Sequence, residues 1–213
     1  MKKFVLFSIA MLVGVASFAQ KKGEMYIGGF LAGEFGNVKT ISTADGTSQT
    51  SSMPADAANL IGVQYGYFAA NNLRLSLALA SSFTSTPYAD PGFDNAKAKL
   101  IFAYVNPSVA YYVKLADRFY YAPEAGVMFG LGKAKYPVSS TDVTVSDIDA
   151  WSAYLDFAAF DFRVSDKFAV GVSFGYAGYE SYKYDFVDYG STSQLNSFSF
   201  NFNTAEVTFK WYL

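Results

Sequence analysis

The chain has 213 residues, a net charge of −2, 19% aromatic residues, and neither cysteine nor histidine. A near-neutral charge gives no basis for nucleic-acid binding. The missing cysteines exclude a disulfide framework and thiolate chemistry, and the missing histidines remove the Ser/His and Asp/His catalytic arrangements.

The first residues read as a secretory signal peptide. Lys2 and Lys3 precede an uncharged apolar run from Phe4 to Val15, and Ser17 and Ala19 place small residues at the two positions a signal peptidase reads. The run is shorter than the roughly 20 apolar residues that a membrane-spanning helix needs. No cysteine follows it to carry a lipid anchor. The chain therefore divides into a signal peptide, residues 1–19, and one domain, residues 20–213. No later apolar stretch is long enough for a membrane helix.

From Gln20 onward apolar residues recur with period two, the strand period. The first strand is expected over about Glu24–Gly36. Leu60–Phe68 and Leu73–Phe83 form a hairpin around Ala69–Asn72. In its second strand Leu73, Leu75, Leu77, Leu79 and Phe83 share one face; Arg74, Ser76, Ala78, Ala80 and Ser82 share the other. A second hairpin joins Leu100–Lys114 to Phe119–Gly132 through Leu115–Arg118. A third joins Trp151–Val164 to Phe168–Tyr182 through Ser165–Lys167. The last strand is expected over Ser197–Leu213. Apolar parity switches at Ala158-Ala159 and near Asn203-Thr204, which predicts β-bulges there. Pro107 and Pro123 lie inside strands and call for a bulge or irregular pairing.

Three short turns thus alternate with four longer loops, about Asn37–Asn59, Thr84–Ala98, Lys133–Ala150 and Lys183–Asn196. Short turns on one side and long loops on the other are the asymmetry of an outer-membrane barrel. Aromatic residues collect towards both strand ends. Tyr67, Phe68, Tyr111, Tyr120, Tyr121, Phe162, Phe168 and Trp211 lie near the turns; Phe35, Phe83, Phe129, Trp151, Tyr176 and Tyr179 lie near the loops. Two aromatic girdles around an aliphatic band fit the two interfaces of a bilayer. The opposite face reads as small or polar, as a narrow lumen requires. A soluble lipocalin-like barrel would need the reverse. The expected fold is an all-β, eight-stranded antiparallel up-and-down transmembrane β-barrel in the outer membrane.

With the signal peptide, the eight strands and the terminal Phe209-Lys-Trp-Tyr-Leu213 in place, the chain resembles small outer-membrane barrels of the OmpA/OmpX/OmpW type. It is most similar to the porin-like family of Bacteroidetes described as outer membrane protein beta-barrel domain. Asp117-Arg-Phe-Tyr-Tyr-Ala-Pro-Glu-Ala-Gly126 looks typical of that family. The resemblance implies that Val207, Phe209, Trp211 and Leu213 form the strand read by the barrel-assembly machinery. Family members usually end in Phe or Trp; this chain ends in Leu213.

The polar faces direct Arg74, Glu124, Asp161, Arg163, Glu206 and Lys210 into the lumen near the short turns. Three are basic and three acidic, and buried charges persist only when paired. They are expected to form a salt-bridge network plugging the lower lumen, with Glu34, Gln64, Asn106 and Asp156 extending it upward. Small inward residues, Gly171, Gly175, Ala78 and Ala80, would leave an upper cavity. Tyr88, Phe93, Tyr136, Tyr182, Tyr184, Phe186 and Tyr189 in or beside the loops offer surface contacts. Asp142, Asp147 and Asp149 share a loop without the spacing of a calcium loop. Asp185 and Asp188 read as solvated loop charges. Gly130-Leu-Gly-Lys133 lacks the Ser or Thr of a P-loop.

The sequence points to no catalytic, cofactor-binding or metal-binding residue. The function it supports is non-enzymatic: a plugged barrel acting in envelope structure or surface interaction. The alternative is a narrow porin-like channel for small or hydrophobic solutes, as in OmpW. The expected partners are outer-membrane lipid, lipopolysaccharide and the assembly machinery, with the protein a monomer, no nucleic acid bound and the surface ligand unspecified.

Overall fold

The computed structural model describes residues 21–34, 37–44, 47–54, 59–87, 97–138, 141–186, 191–202 and 204–213. The expected signal peptide, Phe35, Tyr88, Phe93, Asp188 and Tyr189 lie outside them. Every regular element among them is a strand: β1 (Met25–Glu34), β2 (Asn37–Ala44), β3 (Thr47–Pro54), β4 (Asn59–Ala70), β5 (Leu73–Pro87), β6 (Lys97–Tyr111), β7 (Val113–Ala116) and β8 (Phe119–Tyr121), then β9 (Glu124–Val138), β10 (Thr141–Asp156), β11 (Ala159–Arg163), β12 (Phe168–Ser173), β13 (Tyr176–Phe186), β14 (Thr192–Asn201) and β15 (Thr204–Tyr212). They form one sheet in the order β3-β2-β14-β13-β10-β9-β6-β5-β4-β1-β15-β12-β11-β8-β7. All ladders are antiparallel. The sheet curls until β1 pairs with β15. β1 lies between β4 and β15, with Tyr26 opposite Tyr212, and β2 touches β14.

The expected count of eight strands is corrected to fifteen among the described residues. Several expected strands are broken after one half. β8 and β9 part at Ala122-Pro123, because proline has no N–H for the ladder. β10 and β11 part at Phe157-Ala158, beside the expected parity switch, and β14 and β15 part after Asn201. The carbonyls freed at these breaks find other donors: Tyr111 N donates to Pro123 O at 3.2 Å, and the Tyr121 hydroxyl donates to Phe157 O at 2.7 Å. Pro107 stays within β6, but the β6–β9 ladder lapses at Asn106 and Pro107. The break between β12 and β13 at Phe174-Gly175 went unanticipated. It shifts parity, so Tyr176 turns inward instead of joining the outer aromatics.

The expected loops are also shorter than anticipated. β5, β6, β9, β10 and β13 run on through Thr84–Pro87, Lys97–Ala98, Lys133–Val138, Thr141–Ala150 and Lys183–Phe186, and β2 and β3 form a hairpin within Asn37–Asn59. Two tight turns place a non-glycine residue in the left-handed region, Asn72 (φ 67°) and Arg118 (φ 62°). Asparagine adopts it readily; arginine does so only under local constraint.

The two faces differ sharply. On β5, Leu75, Leu77 and Leu79 are 48–55% exposed, whereas Arg74, Ser76 and Ala78 are 1–8% exposed. The buried cluster lies on the inner side near the short turns: Tyr26, Phe68, Tyr112, Tyr120 and Tyr212 with Ala110, Ala122 and Ala169. The outer face carries exposed Leu, Val, Ile and aromatic residues, among them Tyr67, Tyr111, Phe162, Trp211, Phe83, Phe129, Trp151 and Tyr179. Phe68 and Tyr120, expected among the outer aromatics, are buried inside.

Candidate functional site

Besides the small and polar residues that its sequence reads, the inner face is packed with rings. Five of these rings lie over a glycine on a neighbouring strand, which keeps them inconspicuous in the sequence. Tyr26 faces Gly66 and Phe30 faces Gly62 on β4; Tyr104 faces Gly130 and Phe102 faces Gly132 on β9; Tyr154 faces Gly126. A Cβ on Gly126 would stand 2.7 Å from the Tyr154 ring and one on Gly62 2.7 Å from the carbonyl oxygen of Leu79, so only glycine fits beneath these rings. Gly171 and Gly175 leave no upper cavity either. The first gives its space to the Asp161 carboxylate and the Lys210 ammonium, the second to Phe157. Ala78 is buried.

Between these rings lies a charged layer. Arg74 on β5 is ion-paired with Glu124 on β9. Its Nη1 also donates to the Tyr112 hydroxyl at 2.9 Å. That hydroxyl donates to Asp161 Oδ2 at 2.6 Å. Lys210 Nζ on β15 donates to both Asp161 oxygens at 2.6 Å and to the Tyr112 hydroxyl at 3.3 Å. Both cations also lie 5.6–5.8 Å from the ring centroids of Tyr26 and Tyr112, within cation–π range. Four of the six expected lumen charges are thus joined through a phenol that the charge pattern did not reveal. Its signal was parity: Tyr111 faces outward, so Tyr112 must face inward.

The other two join neither ion pair. Arg163 lies towards the short-turn rim, 3.3 Å from Glu24 and 4.1 Å over the Tyr212 ring. Glu206 accepts from Thr208 at 2.8 Å. With Asp156 it borders a cavity of only about 30 Å³ shared with Arg74, Glu124, Asp161 and Lys210, about the room of one water molecule.

Of the residues expected above this layer, Asn106 donates to the Tyr154 hydroxyl at 2.9 Å, and Tyr154 reaches Glu124 at 3.3 Å. Gln64 accepts from Tyr26 at 2.6 Å. The Glu34 side chain lies outside the described residues. Higher still, Tyr176 and Tyr182 donate to the two oxygens of Glu180 at 3.0 and 3.1 Å. Phe102 stacks with Tyr104 and meets Tyr182 edge-on. Tyr182 was expected beside a surface loop; it fills the lumen.

Towards the loops the outer face becomes charged. Lys133 is 3.6 Å from Asp147, and Lys183 donates to Asp185 at 2.9 Å. Asp147 thus has a lysine partner, while the Asp142 and Tyr136 side chains lie outside the described residues. Phe209 and Trp211 in β15 and Leu213 just beyond it are 46–69% exposed on the outer face, and Val207 shares it.

Solved structures that this curled antiparallel sheet, apolar outside and carrying paired charges and rings inside, resembles in fold include outer-membrane β-barrel proteins. One is the outer membrane protein OprG from Pseudomonas aeruginosa, with a TM-score of 0.51 and 12% identity over 91% of this chain and 97% of that one. Ail, the attachment invasion locus protein of Yersinia pestis, gives 0.46 and 12% over 90% and 99%. Neisserial surface protein A gives 0.43 and 15% over 86% and 95%. At such identities the likeness is one of fold. No family model matches the chain, and no curated protein does.

Proposed function

We propose that this protein is a non-enzymatic, integral outer-membrane β-barrel whose lumen is closed and whose work is done at its surface, in envelope structure or in contacts made by its loops. The carrying observation is the Arg74–Tyr112–Asp161–Lys210 network, which crosses the lumen and leaves about 30 Å³ beside it. The exposed apolar outer face is the lipid-facing wall. Residues 1–19 serve as the cleaved export signal, and Val207, Phe209, Trp211 and Leu213 as the strand handed to the assembly machinery. The protein works as a monomer in contact with outer-membrane lipid, and its finer kinship is with the porin-like barrels of Bacteroidetes.

The test is single-channel conductance of the refolded mature chain in a planar bilayer, beside the Arg74→Ala/Glu124→Ala double variant. A silent parent with openings in the variant supports the plug. Reproducible openings in the parent overturn it in favour of a narrow channel for small or hydrophobic solutes.

A further inference from the structure

The charged layer does not balance. One cavity of about 30 Å³ is lined by two cations, Arg74 and Lys210, and by four carboxylates, Glu124, Asp156, Asp161 and Glu206. Arg74 is paired with Glu124, and Lys210 with Asp161. Among the described residues, neither Asp156 nor Glu206 has an ion-pair partner. Both side chains are half-buried. The cavity has the room of about one water molecule, too little for a hydrated counter-ion. A proton is the compensator that fits.

The elements packed against the two residues leave this imbalance standing. Asp156 faces Glu124 of β9 and Tyr176 of β13 across its two ladders. Like charges directly opposite each other destabilise a sheet, and the Tyr176 hydroxyl donates to Glu180. Glu206 faces Ala32 of β1 and Ser173 of β12, and its hydrogen bond comes from the neutral Thr208. The Tyr112 and Tyr154 hydroxyls reach Asp161 and Glu124.

The same two residues sit where the wall is interrupted. β9 begins at Glu124, β10 ends at Asp156, β12 ends at Ser173 and β13 begins at Tyr176. Asp156 is in register with both Glu124 and Tyr176, so these breaks fall at one level. There Phe157 N donates to Gly175 O at 3.0 Å and Phe174 N to Ala158 O at 3.1 Å, in place of a continuous ladder.

We propose that Asp156 and Glu206 hold one proton between them at neutral pH, and that its loss in alkaline medium loosens the barrel at this break. Two carboxylates around one water-sized space repel when both are ionised. One proton lets the acid donate towards its ionised partner, directly or through a water, and the two titrate as a unit. The folded chain then carries one proton more than the unfolded chain, whose free carboxyls are ionised above about pH 5. Folding therefore weakens as the pH rises, until the proton has left. The proposal rests on the plugged reading of the lumen, because water passing through it would solvate both groups.

The test is urea unfolding of the refolded mature chain in lipid vesicles from about pH 5 to about pH 9, beside Asp156→Asn and Glu206→Gln, each of which keeps the shape of a carboxyl group without its charge. The ratio of the parent's folding equilibrium constant to either variant's is expected to fall with rising pH, by about tenfold per pH unit where it is steepest. A ratio that stays constant or rises overturns the proposal. Infrared spectra of the folded parent at neutral pH are expected to show the carbonyl stretch of a protonated carboxyl, lost in both variants. Its absence from the parent, or its persistence in both variants, overturns the proposal too. If one variant does not fold, the other serves for the comparison. Single-channel recording separates the two readings: openings of the parent at neutral pH sink the plug, whereas a silent parent with a constant ratio sinks only the shared proton.

Discussion

The Tyr112 hydroxyl donates to Asp161 at 2.6 Å while receiving hydrogen bonds from Arg74 at 2.9 Å and Lys210 at 3.3 Å. One phenol thus ties two ion pairs from separate strands into a single unit. Buried ion pairs contribute little net stability against apolar replacements, but breaking one leaves an unpaired charge. The layer therefore acts as a constraint on which strands meet at this level.

Tyr112→Phe keeps the ring and removes the bridge. It is expected to cost about 1–3 kcal/mol in urea unfolding from lipid vesicles, because buried donors and an acceptor lose their partner. Ring burial is unchanged, so a loss near zero would show that the hydroxyl joins nothing that matters.

Removing one partner of the Arg74–Glu124 pair is expected to cost about 3–5 kcal/mol. The Arg74→Ala/Glu124→Ala double variant is expected to lose less than the sum of its singles. Additive losses in the cycle would contradict a direct pairing.

Gly126→Ala sets a methyl group against the Tyr154 ring. The expected cost is about 1–3 kcal/mol from overpacking, shrinking when Tyr154 is itself cut to alanine. Equal costs in both backgrounds would mean that glycine serves the backbone rather than the ring.

Leu77 and Val172 face outward at 50% and 40% exposure. Replacing either with arginine is expected to cost about 2–4 kcal/mol in a bilayer if it lies near the midplane. The check is the unfolding midpoint in vesicles, and an unchanged midpoint would show that these faces do not meet lipid.

Unboiled protein is expected to migrate apart from boiled protein on a detergent gel, as a closed, hydrogen-bonded wall resists detergent until heated. Free solubility in plain buffer with no shift in any detergent would refute a membrane barrel.

Alternation alone carried much of the fold. The pattern Leu73, Leu75, Leu77 against Arg74, Ser76, Ala78 separates outside from inside without any tertiary information, because strand geometry sends neighbours to opposite faces. The same parity brought Arg74, Glu124, Asp161 and Lys210 to one interior. Parity fails where the chain inserts a residue. The shift at Phe174-Gly175 sent Tyr176 inward with nothing in composition to announce it, since Phe, Gly and Tyr fit either face. Arg163 went astray differently: it has the inward parity, but its place near the turn lets it reach Glu24 at the rim.

By itself the sequence determined the class of element, the sidedness of strands without a parity break and the charge types sent inward, since all three follow from local period and residue chemistry. Only the tertiary structure decided which rings lie over which glycines and that Tyr112 bridges the ion pairs. Those depend on the register between strands far apart in the chain, and register is set by the packing of all of them together.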